Sequence, residues 1–564
     1  MGKMSMNKAL THQDVTEVFR QWQAYSDLLD ELKPQAWEAT DEDTLKQISE
    51  RITSAALARY DLLNDDPDFK QALETYFSDF DYGENAPVLR EYYRCFTHTA
   101  YVERGDLEAF YAQAPKMQNV FDKSMRLARA EGKPQAWEYI KDHLKKIFDL
   151  RRAMAVPVAK IMNIQPSEVT LDYWNPYSRI DDINRVIKDF ERLKPLVKKF
   201  YKLTNTPDFL PVTIDDKYQN KIAAMFESVR TEILNQAGWH QSRLEQAGIT
   251  ISPITFTSGF SYCWGSPKNI RMGFDYENDN LPLSFSNFIH ETGHLIYMLS
   301  RNDMPRKLRG TPAGHINGYS VHEAAAIALE QSSYDQVIVR LFAKAVHNSL
   351  PEIVKDENGQ IKPEWTEENL TKVFAYQNPH PTDDTLGTDW CDNEIVMIPN
   401  MLWRIATERD ILDGKMTVDD IPPYWASFMT EWTGINHRPE DFALTENHWL
   451  DDNAGYFYGY IFGAITAASM RHEIADKQSA ESARRSLAAT FEDKSFSNTQ
   501  KLARFFIPHM QTLDHRIMAK AGIENPEDLL KDIEKENKVN PIEAYIAYCN
   551  GLLVMSGQMP EERG

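Results

Sequence analysis

The sequence has few cysteines, and this scarcity limits the ways in which the fold can be held together. Only four occur in 564 residues, Cys95, Cys263, Cys391 and Cys549, and no two of them form a Cys-x-x-Cys pair. Neither a disulfide framework nor a thiolate zinc site is therefore expected. A reducing compartment is the simpler interpretation of so few cysteines.

Basic residues and long hydrophobic runs are also scarce. The chain has 62 Lys and Arg against 84 Asp and Glu, which gives a formal net charge of −22. Such a surface repels phosphate backbones and anionic lipid, so neither nucleic acid nor a membrane is expected as a partner. No stretch approaches the roughly 18 uninterrupted apolar residues of a spanning helix, and residues 1–15 lack the apolar core of a signal peptide. We therefore expect a cytoplasmic protein.

Apolar residues recur at helical spacing through most of the chain, which predicts a mainly α fold. The exceptions are the segments 249–257 and 270–276, which alternate and are rich in β-branched residues, and so predict two short strands. The amphipathic run from Glu394 to Leu412 contains Pro399, and we expect this proline to kink or restart the helix.

The segment directly after the predicted strands carries the pattern His290-Glu291-Thr-Gly-His294 within an amphipathic helix. Histidines four residues apart project from one face of a helix and can share a zinc ion. Glu291 lies beside them, where a carboxylate can accept a proton from metal-activated water. The implied chemistry is hydrolysis, although five residues alone are too short a pattern to establish it.

A catalytic zinc ion takes three protein ligands and keeps one position for water, so a third ligand is needed. Glu323 lies 29 positions after His294 at the start of an Ala-rich helical segment. The stretch Ser320-Val-His-Glu323 is also a capping box, in which Glu323 would bond to the helix start. Spacing alone leaves both interpretations open.

Tyrosines and glycines cluster in the segment from Gly455 to Tyr460. Tyr456 and Tyr460 could donate phenolic hydrogen bonds to an oxyanion or to substrate. The alternative is that they are core residues with one satisfied hydroxyl each.

Taken together, these motifs resemble the M32 family of metallocarboxypeptidases, the thermostable carboxypeptidase type. The matching motifs are His290–His294, the loop Gly310-Thr-Pro-Ala-Gly314, and His322-Glu323, in that order. The resemblance implies that Glu323 is the third ligand. It also implies one Zn²⁺ per chain, with Co²⁺ or another divalent metal able to replace it, a peptide or small amide as substrate, and a homodimer.

The resemblance also implies a large helical fold with a deep central groove and a small β-sheet beside the zinc site. We expect a single domain over residues 1–564. In this arrangement residues 1–248 form one mostly helical wall, 249–330 the sheet and the metal-binding helices, and 331–564 the second helical wall.

Two departures from the family pattern concern substrate recognition. The family's Asp-x-Arg-x-Thr motif reads Asn269-Ile-Arg271-Met-Gly273 here, so only the arginine is kept. The segment that holds the arginine thought to grip the substrate's terminal carboxylate has no arginine, and Asp389 stands near that position. An acid there would repel a carboxylate and attract an amine. Arg271 is the candidate to bind the carboxylate instead.

The leading hypothesis is a zinc-dependent hydrolase that cleaves a peptide or amide bond, with altered substrate recognition. A first alternative is a zinc hydrolase acting on a non-peptide or amine-bearing small molecule, motivated by Asp389 and Asp392. A second is a non-catalytic zinc-containing binding protein. Glu291 argues against the second, because a purely structural metal site does not need a carboxylate beside its ligands.

Overall fold

The fold is mainly helical, with one small sheet, as the sequence predicted. The computed structural model describes residues 10–39, 41–79, 86–174, 184, 187–203, 208–257, 260–266, 268–277, 280–300, 319–333, 336–377, 394–444, 447–450, 455–461, 463–464, 467–468 and 541–559. Within these ranges, no helix is both long enough and apolar enough to cross a bilayer.

Eleven of the described α-helices precede the sheet. They are α1 (His12–Trp37), α2 (Glu42–Asn64), α3 (Pro67–Asp79), α4 (Ala86–Ala100), α5 (Arg104–Gln113), α6 (Met117–Glu131), α7 (Lys133–Met162), α8 (Pro166–Trp174), α9 (Lys194–Phe200), α10 (Gln219–Gln236) and α11 (Gln241–Ala247). Side-chain caps define several starts: Thr11 and Asp14 form a capping box before α1, and Asp41 accepts a hydrogen bond from the Thr44 amide. Such caps satisfy backbone N–H groups that have no partner inside the helix.

The sheet has four short strands, of which the sequence predicted only part. The strands are β1 (Thr250–Ile251), β2 (Thr255–Thr257), β3 (Tyr262–Ser266) and β4 (Asn269–Asp275). β4 pairs with all three others, parallel to β1 and β2 and antiparallel to β3. The predicted first strand is split because helix α10 binds the backbone between β1 and β2. Arg230 donates to the Ser252 carbonyl, and Glu227 accepts from the Ile254 amide.

Helix α1 covers one face of this sheet. The indole N–H of Trp264 on β3 donates to Asp30 Oδ1 at 3.0 Å, and the Ser266 hydroxyl donates to Glu31 at 2.7 Å. On β4, Ile270, Met272 and Phe274 are buried in the core that lies under the next helix of the chain. Both faces of the sheet are therefore packed, which fixes where that helix lies.

Eight described α-helices follow the sheet: α12 (Leu281–Ser300), α13 (Tyr319–Glu330), α14 (Gln336–Ser349), α15 (Pro351–Val354), α16 (Glu367–Ala375), α17 (Glu394–Leu412), α18 (Ile421–Thr433) and α19 (Pro541–Met555). α17 does not restart at Pro399, which lies inside a continuous helix. Proline removes one backbone hydrogen bond, but nearly every side chain of α17 is buried. This tertiary packing, rather than helix propensity, stabilises the helix.

Two large apolar cores hold the helices together. One surrounds Trp403 and Trp449, whose ring centroids are 5.5 Å apart. The other lies under α12 and includes Phe285 and Phe342, with centroids 4.5 Å apart. Each core draws on all three of the predicted segments 1–248, 249–330 and 331–564. The single-domain organisation itself stays a prediction.

The described cysteines contribute to the interior as free thiols. Cys95, Cys263 and Cys549 are all buried and unbridged, and burial raises the pKa of each thiol well above its ordinary value. Buried thiols of this kind behave as small apolar side chains. Cys391 lies outside the described residues.

Helices α12 and α13 cross with their backbones in close contact at Gly293. A Cβ atom on Gly293 would lie 2.6 Å from the Ala326 Cα and 2.7 Å from the Ala325 carbonyl oxygen. Both distances are shorter than van der Waals contact, so only glycine fits at this crossing. The small side chains of Ala325 and Ala326 complete the match from the other helix.

Gly293→Ala is therefore expected to destabilise the protein by about 1–3 kcal/mol, the usual cost of overpacking a buried contact. Gly551→Ala is the matched control, since Gly551 is also helical but has nothing within 4 Å of the added Cβ. This control should be neutral or stabilising by up to about 1 kcal/mol. The urea midpoints of the two variants test this. Equal midpoints would show that the crossing tolerates a methyl group.

Candidate metal centre

Helix α12 separates its apolar residues from a polar cluster. Phe285 and Phe288 are fully buried in the core beneath the helix. His290, Glu291 and His294 lie near the crossing with α13. Glu291 and His294 are each 4% exposed, and the His290 side chain is 14% exposed. The helical spacing predicted this arrangement, and the structure shows it.

The Glu323 carboxylate on α13 lies beside both histidines. Its Oε2 is 3.5 Å from His290 Nε2, and its Oε1 is 3.4 Å from His294 Nε2. Two ligand atoms at about 2.0–2.1 Å from a tetrahedral metal ion lie about 3.3 Å apart. The ligand atoms of the three residues all lie within 4.8 Å of one another. Glu323 is thus placed as a ligand would be, facing the histidines.

The donor set fits a divalent metal in other respects too. Two imidazoles and one carboxylate are a known ligand set of catalytic zinc sites, which keep one further position for water. Glu291 Oε2 and Glu323 Oε2 are buried, and neither has a hydrogen-bond partner among the residues that the structure describes. Leaving buried carboxylate oxygens without a partner is costly. A cation held by Glu323 and the two histidines would give the Glu323 oxygen a partner and would lower the cost of the charge on Glu291 beside it.

Two glycines allow the Glu323 backbone to come this close. Gly293 permits the helix crossing described above. A Cβ on Gly463 would lie 2.8 Å from the Glu323 Cβ and 3.0 Å from the Ala324 amide nitrogen. Helix α13 is therefore in close contact with Gly463 at Glu323 and Ala324, and with Gly293 at the two residues that follow.

Sequence reasoning missed one residue of the centre, Glu330. Its Oε2 lies 2.7 Å from His290 Nδ1, and its Oε1 accepts a 3.0 Å hydrogen bond from the Ser286 hydroxyl. A carboxylate on the second nitrogen fixes the orientation of a ligating imidazole and raises its basicity. The available signal was spacing, because Glu330 follows Glu323 by seven residues and so lies two turns along the same face of α13.

The hydroxyl groups of the two predicted tyrosines have different partners at the metal centre. The Tyr456 hydroxyl donates a short hydrogen bond to Glu323 Oε1, so its proton is directed at a candidate ligand. The Tyr460 hydroxyl is 3.4 Å from His448 Nε2, and its ring centroid is 6.4 Å from that of His290. Both tyrosines are buried.

The concentration of carboxylates shifts the protonation of the centre. Burial raises the pKa of Glu291 to about 8, with the charges of Glu323 and Glu330 adding to the rise and His290 opposing it. Burial favours neutral His290, but the Glu330 carboxylate outweighs it and raises the pKa of His290 to about 10. Burial alone would raise the pKa of Glu323, but His294, His290 and the Tyr456 hydroxyl together lower it. A divalent cation would favour the ionised carboxylates and the neutral imidazole, in which form each can bind metal or accept a proton.

Of the two predicted substrate-binding residues, the structure describes only Arg271. The Arg271 guanidinium on β4 pairs with both carboxylate oxygens of Glu38, with Nε at 3.1 Å from Oε1. The Tyr262 hydroxyl donates to the same carboxylate. Arg271 is therefore already engaged with α1, although its side chain keeps 34% of its surface exposed. Asp389 lies outside the described residues.

Comparisons with known proteins identify a family for this chain. The family described as carboxypeptidase Taq (M32) metallopeptidase matches residues 70–373 and 392–551. Carboxypeptidase 1 of Bacillus subtilis (strain 168) is 21% identical over 316 residues. That alignment covers 55% of this chain and 56% of the relative, so it spans little more than half of the relative's length.

Several solved structures share the fold over nearly the whole chain. The BsuCP crystal structure has a TM-score of 0.69 at 14% identity and covers 96% of this chain and 99% of its own. The Pyrococcus furiosus carboxypeptidase has a TM-score of 0.67 at 17% identity, with coverage of 96% and 100%. Metallocarboxypeptidase 1 of Trypanosoma cruzi has a TM-score of 0.64 at 17% identity, with coverage of 95% and 100%. At these identities the likeness establishes the fold.

Glu330→Gln should weaken metal binding by about 10- to 100-fold, the usual effect of removing a carboxylate behind a ligating histidine. Gln keeps the size of the side chain but loses the charge that orients His290. Ser286→Ala is the control, because it removes only the hydroxyl that holds Glu330 and should cost much less. Competition with a chromogenic chelator measures both affinities. Unchanged affinity in Glu330→Gln would contradict the assigned role.

Proposed function

Because the chain belongs to the carboxypeptidase Taq (M32) metallopeptidase family, we propose that it is a zinc-dependent peptidase acting at the C-terminal end of peptides, with substrate recognition that differs from the family's. The observation that carries the proposal is the cluster of His290, His294 and Glu323 with Glu291 beside it. Zn²⁺ is the proposed metal because two histidines and a glutamate match its preferred donors, and Co²⁺ would fit the same set.

Zinc bound at this position would polarise both a water molecule and the carbonyl of the scissile bond. Glu291 is the proposed general base, and it would take the proton of the attacking water and then deliver it to the leaving amine nitrogen. Its place directly beside His290 and its low exposure support this role, because a general base must lie within reach of the water and be shielded from bulk solvent.

Tyr456 and Glu330 are proposed as positioning residues, each acting through a ligand. The Tyr456 hydroxyl bonds to Glu323, and the Glu330 carboxylate bonds to His290. A direct contact between Tyr456 and a developing oxyanion would require its hydroxyl to leave Glu323. Tyr460 is the proposed contact with substrate, since its ring centroid lies 6.4 Å from that of the candidate ligand His290.

Recognition of the terminal carboxylate is the step where this protein is proposed to differ from the family. Arg271 can serve as the clamp only by sharing its guanidinium between Glu38 and the substrate, and its exposed surface leaves room for that. Arginine has five N–H donors, so a second partner is chemically feasible. The pairing with Glu38 also keeps the first alternative open, a hydrolase for an amine-bearing substrate near Asp389.

The remaining sequence predictions stay proposals. They are a cytoplasmic location, a homodimer, and an interaction with peptide or small amide substrates but not with nucleic acid or membranes. The non-catalytic alternative is disfavoured by Glu291, whose carboxylate is buried beside the ligands although a structural metal site would not need it.

Glu291→Gln should retain the metal and lower kcat by about 10²- to 10⁴-fold, the usual contribution of a general base. The amide keeps the shape of the side chain but cannot accept the proton. Metal content is measured alongside turnover of a blocked dipeptide substrate. Full turnover by a metal-loaded Glu291→Gln variant would rule out the proposed mechanism.

Matched peptides with a free or an amidated C-terminus test the substrate assignment. We expect amidation to lower kcat/KM by at least about tenfold, because it removes a charge-assisted interaction. An N-acetylated peptide with a free C-terminus should be cleaved normally. Indifference to amidation would contradict action at the C-terminus, while leaving metal-dependent hydrolysis intact.

The same peptide pair tests Arg271. We define the preference as the ratio of kcat/KM for the free-acid peptide to kcat/KM for the amidated peptide. In Arg271→Gln this ratio should fall toward one. Glu38→Gln, which removes the competing carboxylate, should preserve or strengthen the preference. A preference that is unchanged in Arg271→Gln would assign carboxylate recognition to another residue.

A further inference from the structure

A cavity of about 140 Å³ lies among the N-terminal helices, away from the residues described above. It is bounded by α2, α4, α5, α7 and α8, and no residue of the metal centre lines it. Most of its wall is aliphatic or aromatic, including Phe110, Val158 and Trp174. A cavity of this size holds about one benzene ring.

The wall also contains a positive charge that lacks a matching negative one. The Arg59 guanidinium lines the cavity. The Tyr173 side chain, also in the wall, is one hydrogen-bond partner of this guanidinium. The guanidinium also donates to two neutral hydroxyls, at 3.3 Å to Ser26 Oγ and at 3.5 Å to Tyr111 Oη. Both are long for hydrogen bonds of a charged donor. Its charged carbon also lies 5.0 Å from the centre of the Trp22 ring.

Among the residues that the structure describes, no carboxylate forms an ion pair with Arg59. The charge of Asp30 is the smallest of the influences that raise the pKa of Arg59, and Asp30 Oδ1 accepts the Trp264 indole N–H. The Nε of Arg59 is buried and has no hydrogen-bond partner among the described residues. A partly buried guanidinium without a paired anion is destabilising, so this position favours an anionic ligand.

The other polar residues of the wall do not supply that anion. Arg151 adds a second positive charge, and it donates at 2.7 Å to the Trp449 carbonyl. His98 Nε2 lies 2.9 Å from Asp172 Oδ2. The same oxygen lies 3.4 Å from Arg94 Nη1, so this carboxylate already has partners. No aspartate or glutamate is among the described residues that line the cavity.

We propose that this cavity binds a small monocarboxylate whose apolar body is no larger than a benzene ring or a short branched chain, with the carboxylate on Arg59. The apolar wall would bury the body of the ligand. The absence of a lining carboxylate also sets a selectivity, because a ligand with an α-ammonium group would bring a charge that the wall cannot pair. The site therefore distinguishes simple carboxylates from amino acids.

Calorimetric titration of the full-length protein with three probes of one carbon skeleton tests this. The probes are 4-methylpentanoate, its amide, and leucine, which adds only the α-ammonium group. We expect 4-methylpentanoate to bind, and the amide and leucine to bind at least about tenfold more weakly.

Variants locate the binding within the protein. Arg59→Gln should lower the affinity for 4-methylpentanoate at least about tenfold. Ala155→Leu, which fills the cavity from α7 and leaves Arg59 in place, should also abolish binding. Arg104→Gln is the matched control, since Arg104 is an exposed arginine of α5 paired with Asp61, and it should bind like the unaltered protein.

Three outcomes would overturn the proposal. They are no measurable binding of 4-methylpentanoate at millimolar concentration, equal binding of the amide, and undiminished binding by both Arg59→Gln and Ala155→Leu. A carboxylate that coordinated the metal would give the last result. The comparison of acid with amide on the unaltered protein decides the matter even if Arg59→Gln fails to fold.

Discussion

The close crossing of α12 and α13 is the constraint on which the metal centre depends. Each helix presents only part of the donor set, with His290 and His294 on one and Glu323 on the other. The crossing is tight because Gly293 has no side chain and faces Ala325 and Ala326. Without that contact, α13 would move outward and carry the Glu323 carboxylate away from the imidazoles. The backbone contact at Gly293 thus determines where the Glu323 carboxylate lies.

The charges of the centre explain why a cation belongs there. Glu291, Glu323 and Glu330 converge within a largely buried volume, and burial together with mutual repulsion raises the pKa of Glu291 to about 8. Three carboxylates and two histidines in one place are costly without a balancing charge. A divalent ion supplies that charge, and it would lower the pKa of Glu291 while keeping His290 in its neutral, ligating form.

The sequence predicted the residues that are close along the chain better than those that meet only in space. His290 and His294 follow from helical periodicity, and the mainly α fold follows from the same signal. Glu330 was missed although its spacing places it on the same face of α13 as Glu323, because its partner His290 lies on the other helix. The pairing of Arg271 with Glu38 joins residues 233 positions apart, so no local pattern could reveal it. Strand β3 was missed because its Tyr-Cys-Trp core is too short to show alternation.

The central claim is that two helices direct three side chains at one metal ion. Anomalous diffraction at the zinc edge, on crystals of the zinc-loaded protein, tests it most directly. The account predicts one peak per chain, within about 2.0–2.2 Å of His290 Nε2, His294 Nε2 and a carboxylate oxygen of Glu323. A peak bound elsewhere, or a Glu323 side chain turned away from the two imidazoles, would contradict it.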